Sequence, residues 1–480
     1  MYADQRRKNV DAPSPSSRPR QASRRHVAAR ASAPAAPPPA APVVPAAARG
    51  LGAGRGRGAL AVEGQPAGAG RRPRLVVSER LHCAVRVAWR VVGMDVAGAG
   101  LAGTLGALDL ASLSSLASLN LSSNALAGPL FPANVSAPLV SVRSVDLSNN
   151  SLSGPIPPTL PAYMPNLKHL NLSSNQFVGE IPASLAKLTK LQSLVLASIR
   201  LAGGIPAVLG NVSGLRELEL SSNPLGGTIP AALGKLLSPE RINVSLTQLE
   251  STIPSELSLC TNLTVIGLAG NNLSGGLPPS LAKLTRVREF NVSKNMLTGE
   301  ILPDYFTSWT DLRVFQADGN RFTGTIPPEV ATASRLEFLS LATNNLSGGI
   351  PPVIGRLTSL TVLDLSENEF SGTIPRTIGN LTSLTTLRLY DNKLTGRLPD
   401  EFGSMTALQR LSINTNMLEG ELPAGLTRLP NLLGIVAFDK LFSGTIPSDF
   451  GRNLSIFSMS NNKFSGGLPA GLCSTPRPVP

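Results

Sequence analysis

Residues 360 to 375 read Leu360-Thr-Val-Leu363-Asp-Leu365-Ser-Glu-Asn368-Glu-Phe370-Ser-Gly372-Thr-Ile374-Pro375. Leu363 and Leu365 alternate with Asp364 and Ser366, the period of a short strand with an apolar face inward and a polar face outward. Asn368 stands where the chain must leave that strand. Its carboxamide can satisfy backbone groups of its own and adjoining turns that would otherwise be buried without partners. Gly372 suits a backbone that turns with positive φ or packs closely. The Ile374-Pro375 pair buries one apolar side chain and sets an extended turn. Beyond it, Ile378 and Leu381 are spaced to close the opposite face with a short helical turn.

The same unit runs through the chain. Aligned on Asn368, it falls at Ala99, Asn124, Asn150, Asn175, Ile199, Asn223, Thr247, Asn271, Asn295, Asn320, Asn344, Asn368, Asn392, Asn416, Lys440 and Asn462, in steps of 22 to 26 residues and most often 24. A fixed period of this length with this leucine pattern specifies a leucine-rich repeat solenoid. The expected fold is an α/β-type superhelix with a parallel concave sheet and short 3-10 or helical turns on the convex side. Twelve of the sixteen rungs carry Asn at the aligned position. Thr247 can substitute in part, whereas Ile199 and Lys440 cannot, so irregularity is expected at those two. Four residues further on, Gly occupies every rung but one, Ser251 being the exception. At about 4.8 Å between strands, sixteen rungs span about 75 Å, and an extended peptide of about ten residues crosses about seven of them.

Charge divides the chain. Residues 1–90 hold 17 Lys and Arg against 4 Asp and Glu, while the rest holds 26 of each sign. The basic excess therefore belongs to an Arg, Ala, Pro and Gly rich leader without apolar periodicity, which is expected to be disordered. Its Arg55-Gly56-Arg57-Gly58 stretch lacks the aromatic rings that stack on RNA bases, and it shows neither a clear amphipathic transit pattern nor a secretory signal. The organisation expected is a leader over 1–90, an array of about sixteen repeats over 91–473 and a tail over 474–480. No nucleic-acid role is expected of the array. The uncharged run from Leu110 to Val142 is long enough to span a bilayer, but its leucines sit at repeat positions and Pro129, Pro132 and several Asn interrupt it. Cys83, Cys260 and Cys473 have no paired spacing and suggest neither zinc nor a local disulfide. Cys260 fits a small buried position on an outer turn.

The string L-x-G-x-I-P at a 24-residue period resembles the plant-specific leucine-rich repeats of receptor-like kinases and receptor-like proteins. The stretch Leu259-Cys-Thr-Asn-Leu-Thr-Val-Ile-Gly-Leu-Ala-Gly-Asn-Asn272 resembles the ectodomains of the male-discoverer-interacting receptor-like kinase group. The resemblance implies a cell-surface ectodomain that binds a peptide or protein ligand and recruits a co-receptor kinase. It also implies an N-terminal cap with paired cysteines around a tryptophan, of which Cys83 and Trp89 alone stand near the right place. No signal peptide, membrane helix or kinase domain is seen, and Gly466-Gly-Leu-Pro469-Ala-Gly-Leu-Cys473 leads into no recognisable cap. The expectation is a truncated or mis-assembled product joining an unrelated leader to a genuine array.

Nothing in the sequence points to catalysis or to a cofactor. The histidines are His26, His82 and His169, and no zinc-protease, nucleophile-elbow or phosphate-loop motif is present. The candidate ligand-binding residues are the outward positions of the later strands: Gln316, Asp318, Ser340, Asp364, Glu367, Arg388, Tyr390, Arg410 and Asn414. Arg388 and Arg410 stand on adjacent rungs at non-equivalent positions, and either can fork a peptide carboxylate. Tyr390 offers a flat apolar contact with a polar tip, and the strand carboxylates read mostly as solvated surface. Glycosylation sequons occur at Asn120, Asn134, Asn149, Asn171, Asn211, Asn243, Asn262, Asn272, Asn291, Asn345, Asn380 and Asn453. Of these, Asn120, Asn171, Asn243 and Asn291 fall on concave strands, where a glycan would block a ligand. The alternative readings are a secreted inhibitor of microbial cell-wall hydrolases and a gene product without function.

Overall fold

The computed structural model describes residues 91–107, 112–131, 138–449 and 453–469. The leader, Cys83, Trp89, Cys473, Asn134 and the tail lie outside the described residues. Each aligned unit contributes one three-residue strand to a parallel sheet of 16 strands, running in chain order from Gly93–Asp95 to Ile456–Ser458. Register holds throughout: Leu339, Leu363, Leu387 and Leu411 stand opposite one another on successive strands. All four are fully buried, as are Leu365, Ile378 and Leu381, so each coil closes over its own apolar residues.

On the convex side the rungs close with short 3-10 turns such as Pro352–Arg356, Arg376–Asn380 and Asp400–Ser404. Pro375, extended at φ −69 and ψ 140, delivers the chain into Arg376–Asn380. One longer coil accommodates the α-helix Pro303–Ser308, whose Tyr305 and Phe306 pack with Trp309, Phe290 and Phe315 inside the stack. Cys260 is fully buried on an outer turn, and burial pushes its thiol up to about 11.

The asparagine corner works as expected, with a redundancy that the repeat does not announce. Asn368 Nδ2 lies 2.9 Å from Leu341 O on the preceding rung and 3.3 and 3.0 Å from Leu365 O and Ser366 O on its own, while its Oδ1 accepts from Leu346 N at 3.0 Å. Leu341 O also accepts from Asn344 at 3.0 Å, and Leu365 O from Asn392 at 2.9 Å. Each corner carbonyl is thus shared by two amides.

That sharing corrects the expectation at Ile199 and Lys440. Where Ile199 replaces Asn, the carbonyls of Leu172 and Leu196 keep one amide each, from Asn175 and Asn223, and the long sheet passes through in register. Lys440, 4% exposed, threads its Nζ to the carbonyls of Asn416 and Asp439, both at 3.2 Å, and the sheet again continues. Thr247 Oγ1 lies 2.5 Å from Val244 O on its own turn and 3.0 Å from Asn271 Oδ1 on the next rung, but makes no bond to Leu220 O on the preceding one. The smaller sheet beyond the corner is interrupted twice, once in this stretch and once between Arg321–Thr323 and Ser347–Gly348, where the asparagines are intact. Its first segment ends at Arg200–Ala202 and its second begins at Glu250–Thr252, and no strand forms on the Asn223 rung between them. Pro224 there has no N–H to give to a ladder.

All fifteen glycines of the repeat position have positive φ, and Ser251 adopts it too, at φ 72. A second such position went unforeseen. The residue just before the aligned position has φ between 52 and 65 on every rung, usually without glycine, as at Ser123, Ser174, Glu367 and Asp391. Asn, Asp and Ser tolerate this region because their short side chains bond locally; their enrichment before the aligned Asn was the available signal.

Candidate ligand-binding face

Three rows of side chains rise from the long sheet, set by the first and third residues of each strand and by the residue two further on. Over the later rungs the first row is Val314, Phe338, Val362, Thr386 and Arg410, which are cross-strand neighbours in order. Phe338 and the flanking valines are only half-buried, so they form an apolar stripe open to the groove. Sequence reasoning passed over these three because an apolar residue on a strand reads by default as core. The available signal was that they occupy the same strand position as the polar Glu289 and Arg410.

The second row is Gln316, Ser340, Asp364, Arg388 and Ser412, again consecutive neighbours. Its side chains are tied together. Gln316 Oε1 accepts from Asn291 Nδ2 at 2.9 Å, and Arg388 donates to Asp364 Oδ2 at 3.0 Å. Asp364 Oδ1 accepts from the Ser366 hydroxyl at 2.6 Å and the Ser366 amide at 3.2 Å. Asp364 is therefore 8% exposed and Ser366 fully buried, which corrects the reading of both as freely outward and of Asp364 as solvated.

The third row holds Asp318, Tyr390 and Asn414. Burial raises the Asp318 carboxyl above its usual range, against the opposing hydrogen bond from Ser340. Tyr390 donates its hydroxyl to Glu367 Oε1 at 3.0 Å, while Glu367 Oε2 accepts from Thr343 at 3.2 Å; burial foremost raises the tyrosine pKa as well. Asn414 is 9% exposed and turns its amide toward Thr415. Glu367 is exposed at the groove's edge. The candidate residues thus lie along one face, held in separate local bonds such as Arg388 with Asp364 and Tyr390 with Glu367. Arg410 stands apart from these bonds, aligned with Thr386 and not with Arg388, exposed, and in no ion pair among the described residues.

Four sequons share the second row: Asn120, Asn171, Asn243 and Asn291. In each, Oδ1 accepts from the backbone N–H of the serine two residues on, at 3.0 to 3.1 Å. Asp146 and Asp364 make the same turn with Ser148 and Ser366. The Asn-x-Ser spelling at these places thus serves backbone geometry that aspartate serves equally. Asn149, Asn211, Asn272, Asn345, Asn380 and Asn453 are exposed away from this row, and Asn262 is half-exposed, accepting from Arg286 at 2.9 Å.

Family models described as leucine-rich repeat region, residues 286–435, and leucine rich repeat, residues 140–201, 214–236, 262–284 and 453–475, match the chain. Comparison with curated protein sequences gives no match. Among solved structures it is similar to a TDR receptor, with 34% identity and a TM-score of 0.75 over 80% of this chain and 66% of that one. It is similar to the plant peptide hormone receptor RGFR1 in complex with RGF2, at 32% and 0.69 over 79% and 64%. The Arabidopsis receptor kinase HAESA LRR ectodomain, in complex with an N-terminally extended IDA peptide hormone ligand, matches at 32% and 0.68 over 78% and 67%. The chain spans about two thirds of the length of these proteins. It belongs to the leucine-rich repeat family. Within that family it is of the plant receptor-kinase ectodomain type. Among the described residues no helix is long and apolar enough to cross a membrane.

Proposed function

We propose that the chain is a non-catalytic recognition array that takes an extended peptide along the face from Val314 to Asn414 and acts in signalling at the cell surface. The observation that carries this reading is Arg410. It is an exposed guanidinium without an ion-pair partner among the described residues, standing at the end of the half-open Val314, Phe338 and Val362 stripe. Such a group can fork a terminal carboxylate while the stripe takes apolar side chains. The peptide hormones held by the RGFR1 and HAESA structures support a ligand of this class. A co-receptor kinase is the second partner that the family suggests. Glycans would attach at the exposed sequons, Asn211, Asn345 and Asn380 among them, leaving the groove open; peptide mapping of the plant-expressed protein tests this.

Capture of synthetic ten-residue peptides, each made with a free and an amidated C-terminus, tests the main reading. Arg410→Ala and amidation are each expected to cost about tenfold in affinity, and together no more than either alone. Replacing Arg388, Tyr390 and Arg410 together by Ala is expected to abolish capture with the circular dichroism unchanged. Undiminished capture by Arg410→Ala would remove the proposal.

A further inference from the structure

On one lateral flank, just upstream of each strand, backbone bonds stack a column of side chains one rung apart. Lys168 N donates to Arg143 O, Gln192 N to Lys168 O, Arg216 N to Gln192 O and Glu240 N to Arg216 O, each at 2.7 Å. From Arg216 onward most cations of this flank are paired, Arg286 excepted, which donates to Asn262 Oδ1 at 2.9 Å. Arg216 pairs with Glu240 at 3.3 Å, Arg313 with Glu337 at 2.6 Å, and Arg288 and Arg335 with Asp311. Before that point the pairing stops. Arg143, Lys168 and Lys190, on three successive rungs, make no ion pair among the described residues, and Lys190 gives its Nζ to Asn166 Oδ1 at 2.7 Å. Three cations without ion pairs thus stand on successive rungs of this one flank.

We propose that this flank binds a linear acidic polysaccharide. The three cations meet successive carboxylates, and the amides of Asn166 and Gln192 meet hydroxyls. Arg143 and Lys168 stand one rung apart, at about 4.8 Å, and Lys190 follows on the next rung in the adjoining column with Asn166, a stepped row that suits a regular polymer. Beside them Val140 is the exposed large apolar side chain, and no Phe, Tyr or Trp is strongly exposed among the described residues. The apolar centre that a protein partner needs and the aromatic platform that nucleic-acid bases need are therefore both missing. This surface is separate from the peptide face and does not depend on it.

The test is titration of the whole chain with labelled polygalacturonate oligomers in calcium-free, low-salt buffer. Binding is expected to weaken as salt rises, and replacing Arg143, Lys168 and Lys190 by Ala to weaken it about tenfold. Replacing the ion-paired Arg288, Arg313 and Arg335 by Ala is expected to change it by less than about threefold. If the first variant melts lower, the pair Arg143→Gln and Lys190→Gln, both at exposed positions, carries the same test with a loss of about threefold. Equal loss in the two triple variants, equal binding of fully methyl-esterified polymer, or polyglutamate bound as tightly would each overturn the proposal.

Discussion

Asn223 and Asn368 are the same residue at the same repeat position, yet their surroundings make them unequal. Around Asn368 every rung keeps its asparagine, so Leu341 O and Leu365 O each accept a second amide, from Asn344 and Asn392. Around Asn223 the neighbours are Ile199 and Thr247. Leu196 O and Leu220 O accept from Asn223 at 2.7 and 2.8 Å, and from no other side chain among the described residues. The same stretch carries Pro224, one of the two gaps in the smaller sheet, and positive φ at Leu246, Gln248 and Ser251. The weight borne by one amide in a stack is set by what its neighbours lack. Redundancy, not residue identity, separates the strong region from the weak one.

The sharpest way to break this comparison is to delete both amides in turn. Asn223→Ala leaves two buried carbonyls without a side-chain donor and is expected to cost roughly 3 kcal/mol, against roughly 1.5 kcal/mol for Asn368→Ala. Urea midpoints give the order, and hydrogen exchange shows whether the Asn223 rungs open first, as local stability in a repeat array allows. Equal losses would dispose of the redundancy argument.

Repair of the weak stretch should give smaller effects of opposite sign. Ser251→Gly removes a side chain from a φ of 72 and is expected to stabilise by about 1 kcal/mol. Thr247→Asn restores a donor to Leu220 O and is expected to add about 1 kcal/mol. It should also shrink the penalty of Asn223→Ala, a coupling that a double-mutant cycle measures.

Lys440 supplies the gentlest probe. Its burial lowers the ammonium pKa to about 8, although Asp439 and Asp391 oppose the shift. The folded chain therefore holds this proton less tightly than the unfolded chain does, and the penalty for burying the charge is complete below about pH 8. Stability is expected to gain a contribution as pH rises from about 8 toward the ordinary lysine value. Urea midpoints of Lys440→Asn should lack that contribution, and the variant should be the more stable protein at pH 7.

Much of this was legible in advance because each rung repeats one local problem. Leu363, Leu365, Ile378 and Leu381 had to share an interior, and Asn368 had to answer for the carbonyls at the bend. The candidate face was legible in position but not in state. Asp364, Arg388, Glu367 and Tyr390 were placed on the groove from their spacing, whereas their mutual bonds, and the isolation of Arg410, depend on registers between residues some 24 positions apart. Phe338 escaped notice because a pattern of apolar residues says which side chains avoid water, not which are left half-covered.

The period of leucine, asparagine and glycine alone determined a stacked parallel solenoid, since no other arrangement buries that many in-phase leucines while satisfying the bends between them. Only the tertiary structure decided which asparagine is indispensable, which cations stay unpaired and which strand residues remain open. Each of those properties belongs to a contact between neighbouring coils, and the chain acquires it when the coils stack.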